Sequence, residues 1–119
     1  MQITLLKAKI HTVIVTEAEL EYHGSVTIDE DLMDAAGIVN HELVHINNRN
    51  SGSRIISYAI PGPRGSGVIC MNGAAALHNR KGDVVHILVY ANFTPREAKA
   101  FRPIVVHTKG NNEIDSIEK

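Results

Sequence analysis

Among the 119 residues there is one cysteine, no tryptophan, three tyrosines and two phenylalanines. A lone thiol at Cys70 closes no internal disulfide and supplies neither a CxxC pair nor a metal finger. Charge of one sign is also missing, since twelve Lys plus Arg stand against thirteen Asp plus Glu and the formal net charge is -1. Without a basic cluster or aromatic platforms there is no electrostatic or stacking basis for nucleic acid or an anionic membrane as partner. The longest apolar runs, such as Ala35 to Val39, fall far short of the ~20 residues a membrane span needs. Lys7 and Lys9 interrupt any apolar stretch of signal-peptide type near Met1. These absences predict a protein of a reducing cytosol, where the sequon Asn92-Phe93-Thr94 has no secretory context. What is present, 44% hydrophobic and 21% charged, fits one compact domain over residues 1–119 with its own core.

Most of the chain has the two-residue period of β-structure. From Ile3 to Thr16 the residues are rich in Ile, Val, Leu and Thr, with Lys7, Lys9 and His11 on one side and Leu6, Ala8 and Ile10 on the other. This predicts a long strand, with extended chain continuing through Glu17, Glu19 and Glu21 to Gly24. Val26 to Ile28 resumes a strand. Asp29 as N-cap, Leu32, Met33 and Ala36 at helical spacing and Gly37 as C-cap predict a short helix over 29–37. Runs 42–48 and 53–60 form a hairpin about Asn50-Ser51-Gly52. Pro61 to Gly67 is expected as loop, Val68 to Met71 as strand, and Asn72 as the cap of one helical turn. Asp83 to Tyr90 reads as a buried strand, and Thr94-Pro95-Arg96-Glu97 as a capping box opening a helix to about Phe101. The polar tail from Lys109 is expected to fray. Glu42-Leu43-Val44-His45-Ile46 and Asp83-Val84-Val85-His86-Ile87 share a pattern, which suggests a small β-barrel of two related halves, with chance similarity between strands as the alternative.

His41-Glu42-Leu43-Val44-His45 matches H-E-x-x-H, the zinc-peptidase motif in which two histidines one helical turn apart bind the metal and the glutamate activates water. The motif needs a helix. Here Gly37 has just ended one, Val44 and Ile46 are β-branched, and turn residues follow at once. On a strand, positions i and i+4 lie about 13 Å apart, too far for one zinc ion. A strand is therefore expected, and no metal site.

Gly24-Ser25 breaks the extended run, and by itself reads as a turn or bulge. Its setting is more specific. In order along the chain stand Lys9-Ile10-His11, Leu20-x-Tyr22-x-Gly24-Ser25-x-Thr27-Ile28-Asp29, Leu32-Met33-Asp34-Ala35-Ala36-Gly37-Ile38, Arg54 with Tyr58-Ala59-Ile60, Arg64-Gly65-Ser66-Gly67 and Asn72-Gly73-Ala74-Ala75-Ala76. Over about residues 1–106 this set resembles the pyruvoyl-dependent aspartate 1-decarboxylases. The resemblance implies a mainly β fold, a small double-psi β-barrel with short helices, and a bacterial cytosolic carboxy-lyase that supplies β-alanine for pantothenate synthesis. It implies a homotetramer with sites between neighbouring subunits.

It also implies a proenzyme that cleaves itself at Gly24-Ser25 into chains 1–24 and 25–119, Ser25 becoming a covalent pyruvoyl cofactor. Such chemistry is compatible with a residue lacking Cβ at 24, which tolerates close approach and backbone strain. The family commonly has a threonine as donor to the oxyanion at Gly24, where this chain has Ser57. A serine donates the same hydrogen bond without the methyl that restricts χ1, which favours slower processing. The resemblance further assigns L-aspartate as the substrate, bound as a Schiff base on the pyruvoyl ketone. Lys9 and Arg54 are its carboxylate clamps and Tyr58 is the proton donor. Asn72 and the main-chain N–H groups of Gly73, Ala74 and Ala75 hold a carboxylate, with His11 and Tyr22 lining the site. The rival readings are a noncatalytic or unprocessed β-barrel that only binds a ligand and, more distant, a zinc peptidase using His41, Glu42 and His45.

Overall fold

In the computed structural model, which describes residues 1–119, nine strands and two α-helices follow one another as β1 (Ile3–Ile14), β2 (Glu17–Glu19), β3 (Ser25–Asp29), α1 (Glu30–Ala36), β4 (Leu43–Asn48), β5 (Arg54–Gly62), β6 (Ile69–Asn72), β7 (Val84–Phe93), α2 (Pro95–Ala100), β8 (Ile104–Lys109) and β9 (Glu113–Glu118), with a 3₁₀ turn over Gly73–Leu77. The strands pair in the order β2-β6-β3-β5-β4-β7-β1-β8-β9. Between β1 and β2 lie only Val15 and Thr16, whose N–H groups donate to Asp83 O (2.9 Å) and Ile69 O (2.8 Å). One run of chain thus passes from β7 to β6 and closes the sheet, giving the expected small, mainly β barrel. The parallel pairs β1·β8, β2·β6 and β3·β5 require crossovers that a simple meander lacks.

The barrel is filled by aliphatic side chains with no exposure, among them Ile10, Val13, Val26, Ile28, Val44, Ile46, Ile69, Met71, Val85 and Ile87. Each contributes about 1.5–3 kcal/mol over an exposed position. The two echoed segments are β4 and the start of β7, and they pair antiparallel with Ile46 opposite Ile87. The isoleucines that end the two patterns therefore face each other, while His45 faces Leu88 and His86 faces Asn47.

Both predicted helices form with their predicted caps. The Asp29 side chain accepts from Asp31 N, Gly37 takes the left-handed conformation at φ 73°, and Thr94 and Glu97 make the reciprocal capping box with Pro95 in the first turn. Asp29 carries a further duty, accepting from Gly65 N (3.1 Å) and Gly67 N (2.8 Å), so it ties the 63–68 loop to α1. The helix C-terminal to this cap is also held from the loop, where Arg64 bridges Glu30, Asp31 and Asp34.

Four expectations need correction. Strand β5 runs on through Pro61, which pairs with Ile28 of β3 at the strand's end, where a missing N–H is tolerated. Strand β2 stops at Glu19 and residues 20–24 turn rather than extend. Strand β8 was not expected. The tail does not fray, because β9 pairs antiparallel with β8. Its polar sequence conceals the anchor, Asn112, whose buried amide bonds both Ile14 N and Ile14 O and also Gly67 O.

Candidate active site

Strands β3 and β6 pair with Ser25 opposite Asn72, Val26 opposite Met71, Thr27 opposite Cys70 and Ile28 opposite Ile69. Alternation sends Val26, Ile28, Ile69 and Met71 into the core and leaves Ser25, Thr27, Cys70 and Asn72 together on the other face. Asn72 Nδ2 donates to Ser25 Oγ (3.0 Å) and to Thr27 Oγ1 (3.0 Å), and Cys70 Sγ donates to Asn72 Oδ1 (3.3 Å). The Asn72 side chain is therefore spent on this ladder and does not cap the 3₁₀ turn that follows it, contrary to the expectation from sequence. Burial raises the Cys70 thiol above its ordinary value, with Glu17 and Glu19 adding to the effect, so it stays protonated and can donate.

Ser25 is 1% exposed and has φ 137°, a conformation that side chains other than glycine rarely adopt. Holding it costs about 1–3 kcal/mol, which the surrounding structure must offset. The strain expected at Gly24 thus sits one residue later, and a Cβ built on Gly24 would meet nothing within 4 Å. The glycine that the local structure requires is Gly73, at φ 63°. A Cβ there would lie 2.9 Å from Tyr22 O and 3.0 Å from both Cα and N of Gly24. Gly73 lets the 3₁₀ turn press directly on the backbone ahead of Ser25.

A cleft of about 420 Å³ opens beside this bond, lined by Gly24, Ser25, Ile55, Ile56, Ser57, Tyr58, Asn72, Ala74 and Ala75. A recess of about 210 Å³ shares Gly24, Ser25, Tyr58 and Asn72 with it and adds Tyr22. The tertiary structure thus brings together Gly24, Ser25, Ser57, Tyr58, Asn72, Ala74 and Ala75, with Tyr22 alongside and Gly73 behind. Tyr58 stands edge-on to His41 at 6.0 Å. Ile56 and Arg54, on the same side of β5 as Tyr58, are exposed, but Arg54 is not part of the cleft lining.

Lys9 and His11 lie elsewhere in the chain's own fold, on β1 opposite Val105 and His107 of β8. There His11 stacks on His86 with ring centres 4.5 Å apart, and His107 meets it edge-on at 5.5 Å. Burial first, then Lys9, His107 and Arg49, lower the His11 pKa. His86 is pushed down to about 4 by burial, reinforced by Lys9, His11 and Arg49. A neutral His86 accepts at Nδ1 from Thr12 N (3.0 Å). Thr12 forms a β-bulge at φ 57°. Sequence reasoning passed over Thr27, Cys70 and His86. The first two were recoverable as the same-face neighbours of Ser25 and Asn72 at a spacing of two.

The H-E-x-x-H segment is a turn and a strand, as expected. His41 has φ 71° and donates its N–H to Ala59 O. Glu42 accepts from Lys7 Nζ and Val39 N, and His45 sits on β4 edge-on to Tyr90 at 4.9 Å. The helical spacing on which the peptidase reading depends is absent, and the glutamate is already paired.

A family model described as aspartate decarboxylase matches residues 1–115. The chain is 50% identical over 119 residues to the aspartate 1-decarboxylase of Pelotomaculum thermopropionicum, across 100% of this chain and 90% of that protein. It is 56% identical over 106 residues to that of Porphyromonas gingivalis, across 89% of this chain and 90% of that protein. To that of Bacillus licheniformis it is 53% identical over 114 residues, across 96% and 90% of the two.

Proposed function

The chain belongs to the aspartate decarboxylase family, and from that premise we propose that it is a carboxy-lyase converting L-aspartate to β-alanine and CO2 with a pyruvoyl group made from its own Ser25. The observation that carries this reading is Ser25 itself: a buried hydroxyl at φ 137°, its oxygen held by Asn72, directly after Gly24 at the edge of a cleft that also contains Tyr58. Strain at the residue whose bond must break raises the ground state toward the transition state.

In the maturation we propose, Ser25 Oγ bonds to the Gly24 carbonyl carbon, the Gly24–Ser25 C–N bond breaks, and the hydroxyl proton passes to the freed amine. Ser57 in the cleft wall donates to the oxyanion formed on the way. Loss of the Ser25 Cα proton then expels the Gly24 carboxylate, and water replaces the nitrogen, released as ammonia, leaving chains 1–24 and 25–119. The site fits the group: residue 25 is buried, its side chain is held by Asn72 at the edge of the cleft, and Gly73 packs on the Gly24 backbone just ahead of it. A ketone conjugated to an amide supplies an electrophilic carbon for the substrate amine and a sink for the electron pair left by CO2.

The remaining work falls to the chain. Tyr58, whose phenol borders both the cleft and the recess, delivers a proton to the substrate carbon. Asn72 with the main-chain N–H groups of Gly73, Ala74 and Ala75 holds a carboxylate. Two substrate carboxylates need cations, and the cleft wall contributes none. We assign Lys9, Arg54 and His11 of a neighbouring copy to that task, within a homotetramer. Supporting it, Leu43, Ile56 and Tyr58 are 55%, 63% and 38% exposed and adjoin the cleft across the β4·β5 register, an apolar border suited to a second copy. A buried free thiol at Cys70 suits a reducing bacterial cytosol, where the product would feed pantothenate synthesis.

The test is a denaturing mass spectrum with an assay of CO2 release from aspartate. Chains 1–24 and 25–119, the latter beginning with a pyruvoyl group, together with turnover, are expected. An intact chain after prolonged incubation, with no turnover, would instead leave the unprocessed binding-module reading standing.

A further inference from the structure

Resting on the self-cleavage reading above, we propose that Cys70 is a positioning residue for that cleavage, setting the orientation of the Asn72 amide so that an N–H rather than a carbonyl faces Ser25 Oγ. Asn72 touches Ser25, Thr27 and Cys70 on one face of the β3·β6 ladder. An amide can sit either way round, and its partners decide. The hydroxyls of Ser25 and Thr27 both rotate to donate or accept, so they are indifferent to the choice. The thiol is not, because sulfur accepts weakly and a protonated Cys70 offers a hydrogen to Oδ1 at 3.3 Å. Burial of Cys70 at 4% exposure keeps water from taking its place.

The orientation has a chemical consequence. With Nδ2 at 3.0 Å, negative charge developing on Oγ as it loses its proton is met by a donor. With the amide reversed, a carbonyl oxygen would face that charge, and the Ser25 hydroxyl would spend its proton on Asn72. The same N–H fixes Oγ in one rotamer while leaving its proton free to depart to the Ser25 nitrogen.

The experiment follows the cleavage half-time by mass spectrometry in the full-length precursor for the wild type, Cys70→Ala, Cys70→Val and Cys70→Ser. Cys70→Ala, and Cys70→Val with its conserved volume, are expected to slow cleavage by about tenfold, the scale of one net hydrogen bond. Cys70→Ser, which restores a donor, is expected to return most of the rate. A purely packing role would instead let Cys70→Val cleave at the wild-type rate and make the buried hydroxyl of Cys70→Ser the slower variant; either result overturns the proposal. A wild-type chain that cleaves while Cys70→Ala keeps pace removes this role alone. A wild-type chain that never cleaves removes the self-cleavage reading and this role with it.

Discussion

Ser25 and Thr12 are both hydroxyl residues held at positive φ, 137° and 57°, each beside the carbonyl of the residue before it. They differ in what the hydroxyl and its peptide are free to do. Thr12 Oγ1 donates to His11 O at 2.6 Å, its N–H is received by His86 Nδ1, and its carbonyl accepts from Thr108 Oγ1 at 2.9 Å. Every polar group of Thr12 is engaged, and the proton of its hydroxyl is spent on the carbonyl oxygen of His11. Ser25 Oγ accepts from Asn72 and so keeps its proton available, and the preceding Gly24 is exposed with open space where a Cβ would stand. Strain by itself therefore does not mark a cleavage site. A strained residue becomes reactive when its nucleophile is oriented from the side and the acyl group ahead of it can move.

The largest expected effect is at the reacting atom. Ser25→Ala should abolish cleavage and CO2 release, leaving one chain of 119 residues, while Thr12→Ala should still divide between 24 and 25. A break between 11 and 12 in any variant would undo the comparison. Gly73→Ala comes next, since the added Cβ meets Tyr22 O and Gly24 at 2.9–3.0 Å on a positive-φ backbone. A loss of about 1–3 kcal/mol is expected in urea unfolding, with cleavage slowed because the backbone ahead of Ser25 has shifted.

His86→Leu tests the other region. It leaves the Thr12 N–H without an acceptor, at a cost of about 1–3 kcal/mol, and should not alter the cleavage half-time; a slowed cleavage would show the two regions to be coupled. A further effect is with pH. The His86 pKa is lowered in the folded chain to about 4 from the ordinary 6.5, so the unfolded chain takes up its proton first as the solution is acidified. Stability should be full above pH 6.5 and decline as pH falls toward about 4, and the lowered His11 acts in the same direction. Thermal unfolding across that range should show a shallower decline in His86→Leu than in the wild type.

Much of the local structure was legible because its causes are local. Asp29 and Gly37 bound α1, and Thr94, Pro95 and Glu97 start α2, by hydrogen bonds within a few residues of each other. The ordered motifs around Gly24-Ser25 also pointed to one wall of the site, with Ser57, Tyr58 and Asn72. Strand β9 was illegible because its residues are all exposed and carry no apolar face, and because the anchor ahead of it, Asn112 on Ile14, reaches a partner remote in sequence. Lys9 and His11 stand apart from Ser25 in the chain's own fold, a separation that no spacing along the chain could disclose.

The sequence by itself determined the β-rich barrel, its helix caps, the exclusion of disulfide and membrane helix, and the family. Each of these follows from residue type, periodicity or ordered motif. Only the tertiary structure decided where the strain falls, on Ser25 rather than Gly24, and which way the Asn72 amide has cause to face. Both depend on β6 and its 3₁₀ turn packing against β3, with Asn72 lying 47 residues beyond the Ser25 it holds. A backbone angle and an amide orientation are set by partners across a ladder, and those partners are neighbours only after the chain has folded.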